Sequence, residues 1–189
     1  TLQGNLGQSD IIQGDDVRLG TGQFANKNAG QNKVVTLLNG GLNGNDAANY
    51  ELSGVGQLTA NIAKKQITGA ITAQDKVYDG SLNATVNGSL NGVITGDQVN
   101  LNAQGQFTDK NAAQDKVVNV SGSLTGTDAG NYTVNSNTTA KANIAKKQIT
   151  GAITAQDKVY DGTTNATVNG SLNGVITGDQ VNLNAQGQF

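Results

Sequence analysis

The chain repeats itself every 82 residues, and this period constrains its fold more than any other feature. The segment Ala60–Phe107 matches Ala142–Phe189 at every position but two. The preceding sequence is a more divergent copy, in which Tyr50 stands 82 residues before Tyr132. We therefore predict three domains: a partial repeat at residues 1–65, a complete repeat at residues 66–147 and a second partial repeat at residues 148–189.

Apolar and polar residues alternate in short runs within each repeat, as they do in strands with one buried face. The clearest runs in the complete repeat are Gln98–Asn102, Lys116–Ser121, Tyr132–Asn135 and Lys141–Ile144. Between them, pairs such as Asn87-Gly88 and Gly96-Asp97 are typical of tight turns. The pattern predicts an all-β chain, a tandem array of small immunoglobulin-like β-sandwich repeats.

Two features of this prediction depend on local detail. A β-grasp-like repeat is the alternative fold, and it requires a helix at Lys110–Asp115, the one segment compatible with a helical turn. At the junction Ala140–Thr150, which contains neither Pro nor Gly, we expect the last strand of one repeat to continue into the first strand of the next.

The hydrophobic core of one repeat is expected to consist mainly of β-branched and leucine side chains, because aromatic residues make up only 4% of the chain. Its expected members in the complete repeat include Ile71, Val86, Leu90, Val99, Leu101, Phe107, Val117, Val120, Leu124 and Val134.

Composition excludes several classes of function. The chain has no His and no Cys, the side chains on which most metal sites, haem sites and neutral-pH acid–base catalysts depend. We therefore expect no enzymatic activity, no cofactor and no metal. The net charge is −2, which does not favour nucleic-acid binding, and no apolar stretch is long enough to predict a membrane span.

Aspartates are the only candidate oxygen ligands for a cation in the complete repeat. Their spacing fits neither an EF-hand nor a nonapeptide calcium repeat, so we interpret them as turn caps and solvated surface groups. They are Asp75, Asp79, Asp97, Asp109, Asp115 and Asp128.

The run Asp128-Ala129-Gly130-Asn131-Tyr132 is similar to the tyrosine corner of immunoglobulin-like sandwiches. The equivalent in the first repeat, Asp46 to Tyr50, has Ala48 in place of Gly130. We predict that Tyr132 is buried and that its hydroxyl bonds near the Asp128–Gly130 turn.

Four motifs in order, Lys76–Gly80, Gly96–Val99, Phe107–Asn111 and Asp128–Tyr132, resemble the YDG-domain repeat of large haemagglutinin-like bacterial adhesins. The resemblance covers the whole chain, although Ala113 replaces the usual Gly that the first repeat keeps as Gly30. The motif residues to which we assign a structural role are Tyr78, Asp79, Gly80, Tyr160, Asp161, Gly162, Asp128, Gly130, Tyr132, Asp46, Tyr50, Phe24, Phe107 and Phe189.

The resemblance implies export by two-partner secretion, a location at the outer-membrane surface, and a part in adhesion and biofilm formation. Within such a protein we expect the repeats to act as a stalk whose partners are the neighbouring repeats. Two alternatives remain open: the repeats themselves bind host or matrix glycans with avidity, or copies of the chain associate into a filament through exposed strand edges.

Overall fold

A computed structural model describes residue 6 and residues 10–188 of the chain; Phe189, one of the predicted motif residues, lies outside this range. The described part is all-β, as predicted, with strands and short 3-10 turns but no α-helix. None of its helical segments is long and apolar enough to cross a membrane. The 3-10 turns that lie wholly within the described residues are Asn39–Gly41, Ala47–Asn49 and Ala129–Asn131.

Within the described residues, seventeen strands are distributed over the three repeats. They are β1 (Arg18–Leu19), β2 (Gly22–Phe24), β3 (Gly30–Leu37), β4 (Leu42–Asn43), β5 (Leu58–Ile62), β6 (Lys65–Ala73), β7 (Lys76–Val77), β8 (Asn83–Ala84), β9 (Val86–Asn91), β10 (Asn100–Phe107), β11 (Ala113–Thr125), β12 (Tyr132–Ser136), β13 (Thr139–Ala145), β14 (Thr150–Ala155), β15 (Asn165–Ala166), β16 (Val168–Asn173) and β17 (Gly187–Gln188).

The complete repeat forms a sandwich of two sheets. One sheet has the order β7-β13-β11-β10-β8 and the other the order β12-β6-β9. Ile71 from β6 packs in one buried cluster with Phe107, Val118 and Ile144 from the larger sheet. This is the layered packing predicted from the alternating pattern, since each strand contributes one apolar face to a common core.

The partial repeats contain different parts of this sandwich. The first has a sheet of order β2-β3-β5 and a small β1-β4 pair, whereas the third has the pairs β14-β16 and β15-β17. Contacts divide the chain into two compact units that do not follow the sequence period. One unit runs up to Thr68 and adds Asn91–Asn100 and Leu124–Asn135; the other consists of Gly69–Leu90, Leu101–Ser123 and the chain from Ser136 onward.

A β-bulge recurs at the same place in two repeats. Asn32 in β3 and Asp115 in β11 both adopt a left-handed φ, near 50°, where the register with the partner strand shifts. Each donates its backbone N–H to an asparagine side-chain oxygen on that partner, Asn61 at 2.8 Å and Asn143 at 2.9 Å. The bulge residue has no backbone partner in the strand ladder, so the asparagine side chain accepts its N–H instead.

Several local predictions were wrong. Lys110–Asp115 is not helical, because residues from Ala113 onward belong to β11, and the described repeat therefore lacks the helix that a β-grasp needs. Asn87-Gly88 is not a turn but part of β9, where a Cβ on Gly88 would stand 2.9 Å from Leu101 Cδ2. Glycine there leaves room for the Leu101 side chain and does not serve to reverse the chain.

The predicted inward position of Val117 was also wrong: it is 40% exposed, whereas Val118 is fully buried. Val118 shares the inner face of β11 with Lys116 and with Val120, which is buried as predicted. Nor does a single strand cross the repeat junction, because β13 ends at Ala145 and β14 begins at Thr150. The last residues of β13 pair instead with β7, and Tyr78 donates its N–H to the Ala145 carbonyl at 2.9 Å.

Candidate functional site at the repeat junctions

Tyr132 occupies the interior of the corner, as predicted, with 3% of its surface exposed. Its hydroxyl donates to Asp97 Oδ2 at 2.6 Å and accepts the Ile94 backbone N–H at 3.1 Å. The predicted hydroxyl partner near Asp128–Gly130 was therefore wrong. A carboxylate is a stronger acceptor than a peptide carbonyl, and the folded chain brings the Ile94–Asp97 turn over the ring.

Asp128 closes the same corner from its other side. Its carboxylate accepts the Gln98 backbone N–H at 2.9 Å, and the Asp128 N–H donates to the Gln98 carbonyl at 3.2 Å. The first repeat has the same arrangement: the Tyr50 hydroxyl donates to Asp15 at 2.8 Å, and Asp46 accepts the Asp16 N–H at 2.8 Å. The corner is thus a recurring element of the repeat.

Lys27 connects the first repeat to the corner of the second. Its ammonium lies 2.7 Å from Asp97 Oδ1 and 3.4 Å from Asp128 Oδ1. Close by, the Asn131 side-chain oxygen accepts the Ala29 backbone N–H at 2.8 Å. Asp97 therefore binds the tyrosine of its own repeat with one oxygen and the lysine of the preceding repeat with the other.

The second junction repeats this lysine–aspartate pair. Lys110, the counterpart of Lys27, lies 3.0 Å from Asp179, the counterpart of Asp97. Here the second carboxylate oxygen accepts the Tyr78 hydroxyl at 2.6 Å, and the Lys110 ammonium lies 5.9 Å from the Tyr78 ring centre. The counterpart of Tyr132 in this repeat would be residue 214, past the last residue of the sequence.

A cleft of about 320 Å³ lies beside this second junction. Its apolar walls include Ala112, Ile149 and Ile176, and the Lys110 partner Asp179 lies at its edge next to Tyr78. The cleft carries no cluster of groups that could activate a substrate. Over all the described residues, no three acidic side chains come together in a way that could hold a metal ion.

Each lysine at the two junctions is paired with an aspartate. The hydrogen bond from Lys27, followed by that from Tyr132, lowers the pKa of Asp97 below its usual value. The hydrogen bond from Tyr78, followed by that from Lys110, does the same to the pKa of Asp179. The hydrogen bond to Asp97 raises the pKa of Lys27. Such carboxylates are poor bases and such lysines are poor nucleophiles, so the arrangement is suited to binding rather than to proton transfer.

The Tyr-Asp-Gly motif forms a turn that is held by hydrogen bonds from a lysine side chain. Lys76 donates to Asp79 Oδ1 at 2.8 Å and to the Ser81 carbonyl at 2.9 Å, and its bond to Asp79 lowers the pKa of that carboxyl to about 2. Gly80 supplies the left-handed φ of 77° that the turn needs. Lys158, Asp161 and Gly162 repeat the turn in the third repeat, where Lys158 lies 2.9 Å from Asp161.

The aromatic motif residues occupy different environments. Phe107 is in the core, and the Lys76 ammonium lies 5.4 Å from its ring centre. Phe24, its counterpart in the first repeat, is only half-buried. Tyr160, the counterpart of Tyr78, is 93% exposed. Asp109 is a turn cap, as predicted, and accepts the Asn111 N–H at 2.8 Å. Asp75 is not a turn cap: it accepts the backbone N–H of Asn143, in β13, at 2.7 Å.

Lys27, Lys110 and Asp179 were missed as junction residues. One signal in the sequence could have identified them: Lys27 is kept in the divergent first repeat, although its neighbours Ala25 and Asn26 differ from Thr108 and Asp109 in the second. Asn28 and Ala29 are retained as well, so the run Lys27-Asn28-Ala29 is a candidate for a contact outside its own repeat.

The model of the YDG domain family matches the chain at residues 1–59, 63–140 and 145–189. No curated protein and no solved structure matches the chain.

The corner depends on a glycine, which gives a first prediction. Gly126 has a φ of 114°, and a Cβ there would stand 2.3 Å from the Gln98 carbonyl oxygen. We expect Gly126→Ala to lower the free energy of unfolding by at least about 2 kcal/mol, measured by denaturant titration. Gly130→Ala is the matched control, because nothing lies near that position and the first repeat already has Ala48 there. Equal effects of the two substitutions would contradict this geometry.

A second prediction concerns acid. Asp97 has a lowered pKa when folded, so its contribution to stability is complete above the unfolded value of about 3.9 and is lost as the pH falls through the folded value. The wild-type chain should therefore lose stability below about pH 4, and Asp97→Asn should lose less over the same range. Thermal unfolding monitored between about pH 6 and pH 2 measures the difference. Parallel curves for the two proteins would show that Asp97 is not coupled to folding.

Proposed function

Because this chain belongs to the YDG domain family over nearly its whole length, we propose that it forms stalk repeats of a large exported bacterial adhesin. In this role the repeats hold a distant adhesive region away from the cell and contribute to attachment and biofilm formation. The observation that carries the proposal is the junction contact: the same lysine–aspartate pair joins consecutive repeats at Lys27–Asp97 and at Lys110–Asp179.

A spacer needs a contact that each repeat can make with its neighbours without any other partner. Lys27 and Lys110 occupy the same loop position of successive repeats, and Asp97 and Asp179 the same turn. Each complete repeat therefore offers an acid to the preceding repeat and a lysine to the following one. An array in which every repeat makes the same contacts with its neighbours can be lengthened by duplication. The near-identity of Ala60–Phe107 with Ala142–Phe189 is what duplication produces.

The proposal includes no catalytic step. It is supported by the absence of His and Cys from the sequence and by the pairing of the junction lysines with aspartates described above. Export and a place at the outer-membrane surface belong to the same proposal. They are supported by the resemblance of the four motifs to adhesin repeats, and the absence of cysteine suits a protein that folds without disulfides.

Direct glycan binding by the repeats is the second candidate. An open groove of about 690 Å³ on the complete repeat is lined by neutral polar side chains, among them Gln104, Gln106 and Asn119, which suit sugar hydroxyls. Phe107 and Tyr132 are buried, however, so this groove has no aromatic ring on which a sugar could stack. The stalk therefore has the stronger support.

Proteins of two, four and six complete repeats test the stalk. A compact repeat of this size has a diameter of about 30 Å, so each added repeat should lengthen the particle by roughly 30–40 Å. Small-angle scattering gives the maximum dimension. Growth in proportion to repeat number supports a spacer held by its junctions, whereas growth with the square root of repeat number means freely jointed beads. Proteins with methionine at every Lys110 position are the matched controls and should be more flexible.

A further inference from the structure

The ring and the hydroxyl of Tyr78 contact different repeats. The ring packs against the core of the complete repeat, which includes Phe107 and Val118. The Tyr78 backbone N–H is held within this repeat too, because it donates to the Ala145 carbonyl at 2.9 Å. The hydroxyl, however, donates to Asp179 Oδ2 in the following repeat at 2.6 Å. Tyr78 is therefore anchored in its own repeat by its apolar body and binds the next repeat with its polar end.

Gly80 brings the same turn close to the following repeat. A Cβ at this position would stand 2.9 Å from Ile176 Cγ2, so the lack of a side chain lets the backbone approach the isoleucine. Gly162, the counterpart of Gly80 in the third repeat, has almost the same φ, 75° against 77°, but no described atom lies within 4 Å of a Cβ there. The shape of the turn thus accounts for both glycines, and at Gly80 the close contact with the next repeat is a second requirement.

The turn that receives Tyr78 and Gly80 recurs in all three repeats. In the third repeat, the Asp179 backbone N–H donates to the Ile176 carbonyl at 3.0 Å. The isoleucine, the aspartate and the bond between them recur in the other two repeats, at 3.0 Å in Ile94–Asp97 and 3.1 Å in Ile12–Asp15. Each repeat therefore presents the same apolar and acidic pair on a turn that is closed by its own backbone.

We propose that the Tyr-Asp-Gly turn is the surface with which a repeat recognises the repeat that follows it. The Tyr78 hydroxyl and the Lys110 ammonium bind different oxygens of Asp179, and the Gly80 backbone packs against Ile176. The lysine is 46% exposed and contributes attraction that depends little on geometry. The short hydrogen bond and the close backbone contact require a defined distance and direction. The turn, rather than the lysine alone, therefore determines the geometry of the junction.

This role separates the three residues of the motif. Asp79 accepts hydrogen bonds from the Lys76 ammonium and the Ser81 backbone N–H, both at 2.8 Å, and so holds the turn in shape. Tyr78 and Gly80 contact the neighbour. The inference rests on the proposed function, because it identifies the partner of the motif as the next repeat of the same stalk.

The distance between two spin labels, measured by double electron–electron resonance on the full 189-residue chain, tests the inference. The sequence has no cysteine, so cysteines introduced at the exposed residues Asn119 of β11 and Ser171 of β16 carry the only labels. The otherwise wild-type chain should give one narrow distance distribution between the second and third repeats. Tyr78→Phe keeps the ring and removes the hydroxyl. It should broaden the distribution at least about twofold, because repeats without a fixed contact move relative to each other.

Substitutions at the counterpart positions are the matched controls. Tyr160→Phe makes the same chemical change in a side chain that is 93% exposed. Gly162→Ala introduces the same left-handed backbone strain as Gly80→Ala but places no Cβ against a described atom. Both controls should leave the distribution unchanged, whereas Gly80→Ala should broaden it as Tyr78→Phe does. Circular dichroism checks that every variant folds.

The outcomes separate this inference from the stalk proposal. A narrow wild-type distribution that Tyr78→Phe leaves unchanged would overturn the role of the turn and leave the stalk proposal intact. Equal broadening by Tyr78→Phe and Tyr160→Phe would also overturn that role, because the effect would not come from the junction. A broad wild-type distribution would contradict both proposals, since consecutive repeats would then have no fixed contact.

Discussion

The Asp97 carboxylate is the group on which the described junction depends. One of its oxygens accepts the hydroxyl of buried Tyr132 and the other binds the ammonium of Lys27. The first contact holds a turn against the corner of its own repeat, and the second holds the preceding repeat against that turn. Folding of the repeat and attachment of the preceding repeat therefore both depend on the Asp97 side chain. The contact between the two repeats forms at the tyrosine corner itself.

The two bonds contribute in different ways. The tyrosine–carboxylate bond is short, charge-assisted and largely shielded, which are the properties of a strong hydrogen bond. The Lys27 side chain is 69% exposed, and an exposed ion pair alone contributes little to stability. Its value lies in position: Asp97 is already fixed by Tyr132, so the lysine binds a rigid acceptor, and Asn131 adds a bond to the Ala29 backbone. The corner stabilises the repeat, and the lysine orients its neighbour.

The sequence predicted those features that depend on period and alternation. The 82-residue spacing, the all-β class and the burial of Tyr132 follow from residues close together in the chain. The partner of Tyr132 did not, because Asp97 is 35 residues away and nothing local distinguishes it from other turn aspartates. The burial of Val117 was mispredicted for a related reason: Val117 and Val118 are both apolar, and only the opposing sheet decides which one is buried. The break between β13 and β14 reflects the pairing of β13 with β7, a contact between distant segments.

The account stands on the claim that Asp97 couples the two repeats through Lys27, and a double-mutant cycle measures that coupling directly. Lys27→Met removes the positive charge and keeps roughly the length of the side chain. Asp97→Asn removes the negative charge and keeps an oxygen for the Tyr132 hydroxyl. Unfolding free energies of wild type, both single variants and the double variant give the interaction. The account predicts that Lys27→Met destabilises the wild type and has a smaller effect once Asp97 is asparagine, because only the 3.4 Å contact of Lys27 with Asp128 then remains. Equal effects of Lys27→Met in the two backgrounds would contradict it.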